Sequence, residues 1–281
     1  MTEPVQPFTL HTHTRGFDGR SSIAEMVNAA RDHGIGQIGF SNHFIVHPEI
    51  KNAPLYPYSV RGGYSAIYSS SFDEAIEKFR RHYDELDAYQ AHSDVHLLRG
   101  MEVDYFDSPA WRDGFARAVE ILKPDYCIGA VHFIEQDGKP HNMHDIRNAE
   151  LKYRLLVDYW TKVGRAASSG LFNWMAHLDL PKKVGLARGA DWAAIEGAVV
   201  RAIARSGTAV EINTGLYRST CYEPYPSPRI LRAMADKNVP VLLSDDAHDA
   251  SQIGRHFEEA KRLATECGIR KFADIRSLTR H

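Results

Sequence analysis

Short apolar runs alternate with longer amphipathic ones along this chain, and no linker or low-complexity segment interrupts them. That alternation is the pattern of parallel strands joined by helical crossovers. Strands are predicted over residues 8–11, 36–40, 96–101, 126–131, 172–176, 209–212 and 241–244. Helices are predicted over 23–33, 72–92, 110–122, 148–168, 192–205, 228–237 and 252–267. The first helix has the clearest ends: Ser22-Ile23-Ala24-Glu25 reads as a capping box, and Gly34 is placed to stop the helix in a left-handed conformation. Pro124 disfavours a helical Lys123 and so closes the third. Seven strands alternating with helices in 281 residues suit one α/β barrel spanning 1–281 better than two small domains.

Two loops are longer than such a barrel needs, and both follow strands. Residues 44–71 carry Tyr56, Tyr58, Tyr64 and Tyr68 among several prolines and glycines. A lid over a site and a packed surface excursion both fit that composition. Residues 133–147 carry His141, His144 and the turn pair Asp137-Gly138, and read as another wall.

Charge and composition narrow the functional classes. With 34 basic against 36 acidic residues the formal charge is -2, so no general attraction for nucleic acid or an anionic membrane is expected. The first six residues lack the basic and apolar regions of a secretory leader, and no apolar run would span a bilayer, which predicts a soluble, cytoplasmic protein. Cys127, Cys221 and Cys267 are odd in number and widely spaced, so they read as ordinary thiols. Oligomeric state is not legible.

The histidines change the picture most. There are 15, and six fall at or just past predicted strand ends: His11, His13, His43, His132, His177 and His248. The third strand runs instead into Glu102. In a parallel barrel all strand C-termini open on one face, so these residues should meet in one pocket. In His11-Thr12-His13 the period-two alternation of an extended chain points both imidazoles to one side, and Asp246-Ala247-His248 repeats the device with a carboxylate. Asp245 should face away from its neighbour Asp246. Asp18 makes the turn before Gly19 or reaches the same pocket, being only a few residues beyond His13. Mixed imidazole and carboxylate ligands suit Zn, Mn or Fe. The remaining histidines, including His33, His47 and His82, have no partner spacing, and the pattern does not place His141 and His144.

With these residues in view, the chain resembles the polymerase-and-histidinol-phosphatase (PHP) superfamily over essentially its whole length. The resemblance is carried by His11-Thr12-His13 with Asp18, Ser41-Asn42-His43, Gly100-Met101-Glu102-Val103-Asp104, Gly129-Ala130-Val131-His132-Phe133, Ala176-His177 and Ser244-Asp245-Asp246-Ala247-His248, in that order. Glu211-Ile212-Asn213-Thr214-Gly215-Leu216-Tyr217-Arg218, followed by Glu223-Pro224-Tyr225-Pro226-Ser227, looks like the histidinol-phosphatase branch. The resemblance implies a distorted (β/α)7 TIM-like barrel holding two or three divalent ions. It places His11, His13, Glu102 and Asp246 around one ion, with Glu102 bridging to a second held by His132 and His177. Asp18, His43 and His248 would hold the third. At Arg15-Gly16-Phe17-Asp18-Gly19-Arg20 this chain departs from the branch, which often presents a histidine near that point.

The activity so implied is hydrolysis of a small phosphomonoester, L-histidinol phosphate foremost, by a hydroxide shared between two ions. Glu102 and Asp246 would be catalytic, His43 would touch substrate, and Arg218 would either bind phosphoryl oxygens or pair with Glu223. Another phosphomonoester, a nucleotide phosphodiester, and a metal-binding module without turnover are the alternatives.

Overall fold

The apolar runs become a single parallel sheet in the computed structural model, which describes residues 6–136, 138–142, 149–184, 192–216 and 223–279. Strand β1 (Phe8–Thr9) leads through helix α1 (Ile23–Asp32) to β2 (Gln37–Phe40). An excursion of β3 (His43–Val46), α2 (Tyr56–Gly62) and β4 (Tyr68–Ser69) precedes α3 (Phe72–Gln90) and β5 (His96–Asp104). Next come α4 (Pro109–Leu122), β6 (Tyr126–Ala130) and a hairpin of β7 (Phe133–Gln136) with β8 (Lys139–Asn142). Helix α5 (Ala149–Ser168), β9 (Trp174–Met175), α6 (Ala193–Ser206) and β10 (Ala209–Asn213) follow. The order ends with α7 (Pro228–Ala235), β11 (Val241–Ser244), α8 (Phe257–Glu266) and α9 (Ile275–Leu278).

The main path runs β1-β2-β5-β6-β9-β10-β11, so all seven predicted strands lie in one sheet in parallel register. Its edges come together at Thr12 and Ala247, where His13 N donates to Ala247 O at 2.8 Å and Ala247 N donates to His11 O at 3.2 Å. Deeper in the seam the Gln6 side chain stands in for a strand, donating to Leu243 O and accepting from Leu243 N, both at 2.9 Å. The result is a nearly closed seven-stranded barrel with helices around it, as the sequence pattern predicts.

Two apolar cores result. The barrel interior is filled by Phe8, Leu10, Leu98, Tyr126, Ile128, Trp174 and Leu242, and Leu278 of α9 packs into the same cluster. Tyr126 and Trp174 stack at 4.9 Å, and Tyr126 donates its hydroxyl to Leu10 O at 2.6 Å. Gly39 and Gly100 make room for that ring: a Cβ at either would lie about 2 Å from it. The larger core lies between sheet and helices, with Met26, Phe79, Phe115, Tyr159 and Ile203 among its fully buried members.

The local signals hold. Ser22 and Glu25 form the reciprocal capping box, and Gly34 takes φ 70°. Lys123, held out of the helix by Pro124, is itself left-handed at φ 47° and caps α4. The excursion after β2 is a packed element with Phe44, Ile45, Ile50 and Tyr68 buried, and it also sends Leu55, Tyr58 and Tyr64 to the pocket at the barrel mouth. Cys127 and Cys267 are both buried, whereas Cys221 lies outside the described residues. Among those residues no helix is long and apolar enough to cross a membrane.

Candidate metal centre

The strand ends deliver the polar residues to one mouth. β2 breaks after Phe40, and the carbonyls of Ser41 and Asn42 both accept from Glu102 N at 3.1 Å. The chain then restarts as β3 with His43 paired to Glu102 across the ladder. Glu102 is 1% exposed, an acid in the wall of an otherwise apolar barrel, and needs compensating partners there.

Those partners divide between its two oxygens. Oε2 lies 3.4 Å from His11 Nε2, 3.6 Å from His13 Nε2 and 2.7 Å from His43 Nδ1. Oε1 lies 2.8 Å from His177 Nε2 and 3.5 Å from His132 Nε2. Asp246 Oδ1 completes the first side, 3.6 Å from His11 Nε2 and 3.3 Å from His13 Nε2. On the outer side Asp18 Oδ2 is 3.1 Å from both His43 Nε2 and His248 Nε2, and Asp18 Oδ1 is 3.4 Å from His13 Nδ1. Four ligands about 2.0–2.1 Å from one tetrahedral ion stand roughly 3.3 Å apart, so these spacings leave room for cations between the groups.

The ligand atoms gather in three overlapping clusters: His13, Asp18, His43 and His248; His11, His13 and Glu102; and His43, Glu102 and His132. Within each, the atoms lie inside 4.8 Å of one another. His13 and His43 each face two clusters, which is more sharing than the resemblance implies.

Hydrogen bonding leaves the same atoms unmatched. His11 Nε2, both ring nitrogens of His13, His43 Nδ1, Glu102 Oε2 and Asp18 Oδ1 are buried without a hydrogen-bond partner. Such atoms are expensive to bury unless a cation takes their lone pairs. Burial alone would raise the carboxyls of Glu102, Asp18 and Asp246, yet the surrounding imidazoles hold all three well below the usual range. Burial alone would lower His11 and His43, yet the adjacent carboxylates carry both well above the ordinary value. The site therefore concentrates negative charge that seeks positive partners, and its donor set fits divalent first-row metals.

Two carboxylates the sequence pattern does not single out orient these ligands. Glu211 accepts from His11 Nδ1 at 2.9 Å, leaving Nε2 toward Glu102, and Asp104 holds His132 Nδ1 at 2.9 Å in the same way. A carboxylate behind an imidazole fixes the tautomer and raises its basicity. An acid inside an apolar strand is the signal that could have found both. Asp245 does face away, accepting from Gly254 N at 2.7 Å. Asp246 reaches the cluster by a left-handed backbone, φ 48°, and not by the extended alternation expected of Asp246-Ala247-His248.

The pocket of about 770 Å³ above the clusters has two kinds of wall. Leu55, Tyr58, Tyr64 and Asn142 line it with aliphatic, aromatic and neutral polar groups, and Arg20, Lys183 and Arg255 add positive charge. Arg218 and His144 lie outside the described residues. Glu223, considered as a partner for Arg218, is 3.3 Å from Lys182 Nζ. His141 sits on β8 opposite Ile134 and His47 beside Glu135 at 3.3 Å, both outside the three clusters.

Comparison with known proteins places this arrangement. A family model described as the PHP domain matches residues 9–215. A probable histidinol-phosphatase of Deinococcus radiodurans is 29% identical over 267 residues, covering 93% of each chain. One of Schizosaccharomyces pombe is 25% identical over 289 residues, covering 94% of this chain and 87% of that one. Among solved structures, the putative histidinol phosphatase of Listeria monocytogenes matches with TM-score 0.70 at 19% identity, covering 90% of this chain and 99% of its own. The histidinol phosphate phosphatase of Lactococcus lactis, complexed with Zn, L-histidinol and phosphate, matches with TM-score 0.66 at 19% identity, covering 95% of each chain. At that identity the two structures show a shared fold.

Proposed function

The chain belongs to the PHP domain family, and from that premise we propose that it is a metal-dependent phosphomonoesterase that hydrolyses L-histidinol phosphate to L-histidinol and phosphate. On this reading residues 1–281 form one PHP-type barrel unit, a cytoplasmic enzyme of histidine biosynthesis acting on a small phosphorylated substrate. The names of the relatives that align over nearly the whole chain support the substrate. The observation that carries the chemistry is Glu102, whose two oxygens face different sets of imidazoles.

We assign His11, His13, Glu102 and Asp246 to one ion and Glu102, His132 and His177 to a second, with Asp18, His43 and His248 for a third. Zn, Mn or Fe suits these donors. Divalent ions bound there supply acidified water near neutral pH and positive charge for phosphoryl oxygens. The chain's own part is positional. Glu211 and Asp104 hold His11 and His132 by Nδ1, so that each Nε2 faces Glu102. Arg218 is proposed as a planar donor to phosphoryl oxygens, and Arg20, Lys183 and Arg255 add positive charge to the same pocket. Tyr58, Tyr64 and Asn142 offer an aromatic, neutral wall with acceptor oxygens for an imidazole-bearing, cationic leaving group.

The test is phosphate release from L-histidinol phosphate and a panel of other phosphomonoesters, using protein stripped of metal and reloaded with Mn, Zn or Fe. Preference for histidinol phosphate, dependent on metal and reduced at least about a hundredfold in Glu102→Gln, is expected. Turnover of other esters alone would remove the substrate assignment, and tightly held metal without turnover of any ester would remove the phosphatase.

A further inference from the structure

One buried side chain outside the metal centre touches two of the loops that build it. His82 lies on the inner face of α3, 5% exposed, and belongs to none of the three clusters. Its Nε2 is 3.0 Å from Asn42 Nδ2. The orientation of that amide follows from its other end: Asn42 Oδ1 is 2.8 Å from Thr14 N, a backbone donor, so the oxygen must face Thr14. Asn42 Nδ2 then donates, to Thr14 Oγ1 at 3.0 Å and to His82 Nε2. His82 must therefore be neutral and bare at Nε2. The Phe17 ring meets the His82 ring edge-on at 5.4 Å and meets Phe79, also on α3, at 5.3 Å.

Thr14, Phe17 and Asn42 are the chain neighbours of His13, Asp18 and His43, three of the four members of the outer cluster. The other ligands have separate supports, Glu211 behind His11 and Asp104 behind His132, and neither touches His82.

We propose that His82 is a positioning residue for the outer cluster, tying the loops of His13, Asp18 and His43 to helix α3 through Asn42 and Phe17. Its loss should weaken the ion of the outer cluster most and the others less, since only His13 and His43 are shared with the neighbouring clusters. This inference needs only that three divalent cations bind at the mouth, so failure of the phosphatase reading would leave it standing.

The test compares the full chain with His82→Phe, which keeps the ring volume but cannot accept, and with His82→Gln, whose carbonyl can. Each is equilibrated with chelator-buffered Zn, bound Zn per chain is measured by elemental analysis, and circular dichroism checks the fold. The wild type and His82→Gln should hold three ions with the same midpoints. In His82→Phe one class should need about tenfold more free Zn while the others shift clearly less. Unchanged binding in His82→Phe, a parallel shift of all ions, an equal shift in His82→Gln, or fewer than three ions in the wild type would each overturn the proposal. If His82→Phe does not fold, His82→Leu, which likewise cannot accept from Asn42 Nδ2, carries the same expected and overturning results.

Discussion

Four donors converge on the buried carboxylate of Glu211. Its Oε2 accepts from His11 Nδ1 at 2.9 Å and Trp174 Nε1 at 3.3 Å, and its Oε1 from His177 N at 3.2 Å and Asn213 Nδ2 at 2.7 Å. A neutral amide has one acceptor oxygen and would turn an NH2 toward two of these donors. Glu211→Gln should therefore loosen metal held through His11 by roughly 10- to 100-fold. It should also lower stability by about 3 kcal/mol, since a buried network is left partly unmatched. Chelator competition and denaturant unfolding measure the two effects, and retention of wild-type affinity would remove Glu211 from the ligand-orienting role. Most of the clustered residues were legible in the sequence because each is a polar residue at or just past the end of an apolar run, and Asp18 because it lies a few residues beyond His13. Glu211 was not, because it stands inside strand β10, where burial alone gives no role. His82 offers no such signal, since its partner Asn42 lies 40 positions away and no spacing rule links a helix face to a strand break.

At the scale of elements, the seven barrel strands were readable because each is buried and apolar. Strands β3, β4, β7 and β8 were not, because they pair at the rim after those strands and take their order from contacts that periodicity does not record. Gly138, with φ 72°, lies between the two strands of the hairpin, whereas Asp137, its partner in the anticipated turn, lies outside the described residues; the sequence did not specify the ladder on either side. The seam is the least legible element of all. Where β1 and β11 meet, Thr12 and Ala247 form an isolated bridge, and below them the Gln6 carboxamide satisfies both Leu243 N and Leu243 O. Gln6→Ala would leave that amide and carbonyl without their partner at a buried edge. A loss of about 2–3 kcal/mol in unfolding free energy is expected, with hydrogen exchange accelerating at Leu243 before it does in β5. Unchanged exchange at Leu243 would show that the seam closes without Gln6.

For the whole molecule, the barrel carries an apolar plug below and a dense acid–imidazole layer above, and the layer is stable only with positive charge in it. Metal ions can supply that charge, and so can protons on the histidines. Burial disfavours charge on His11, His43, His177 and His248, yet neighbouring carboxylates raise all four above the ordinary imidazole value in the metal-free chain. A group whose folded value is raised contributes stability that is fully present below its unfolded value, about 6.5 for histidine, and that is lost as pH rises through the folded value. Metal-free protein should accordingly lose stability as pH climbs above about 6.5, just where imidazoles become good ligands. Loaded protein should hold its stability there, because deprotonated histidines bind metal more tightly. An ion present at 1,000 times its Kd adds about 4 kcal/mol, and at roughly 2 °C per kcal/mol for a chain of this size each such ion is worth about 8 °C in Tm. Melting curves of stripped and zinc-loaded protein from pH 5.5 to 8.5 should therefore diverge with rising pH. Parallel curves would mean that the layer is balanced without cations, and the assignment of these residues as ligands would fall with that result.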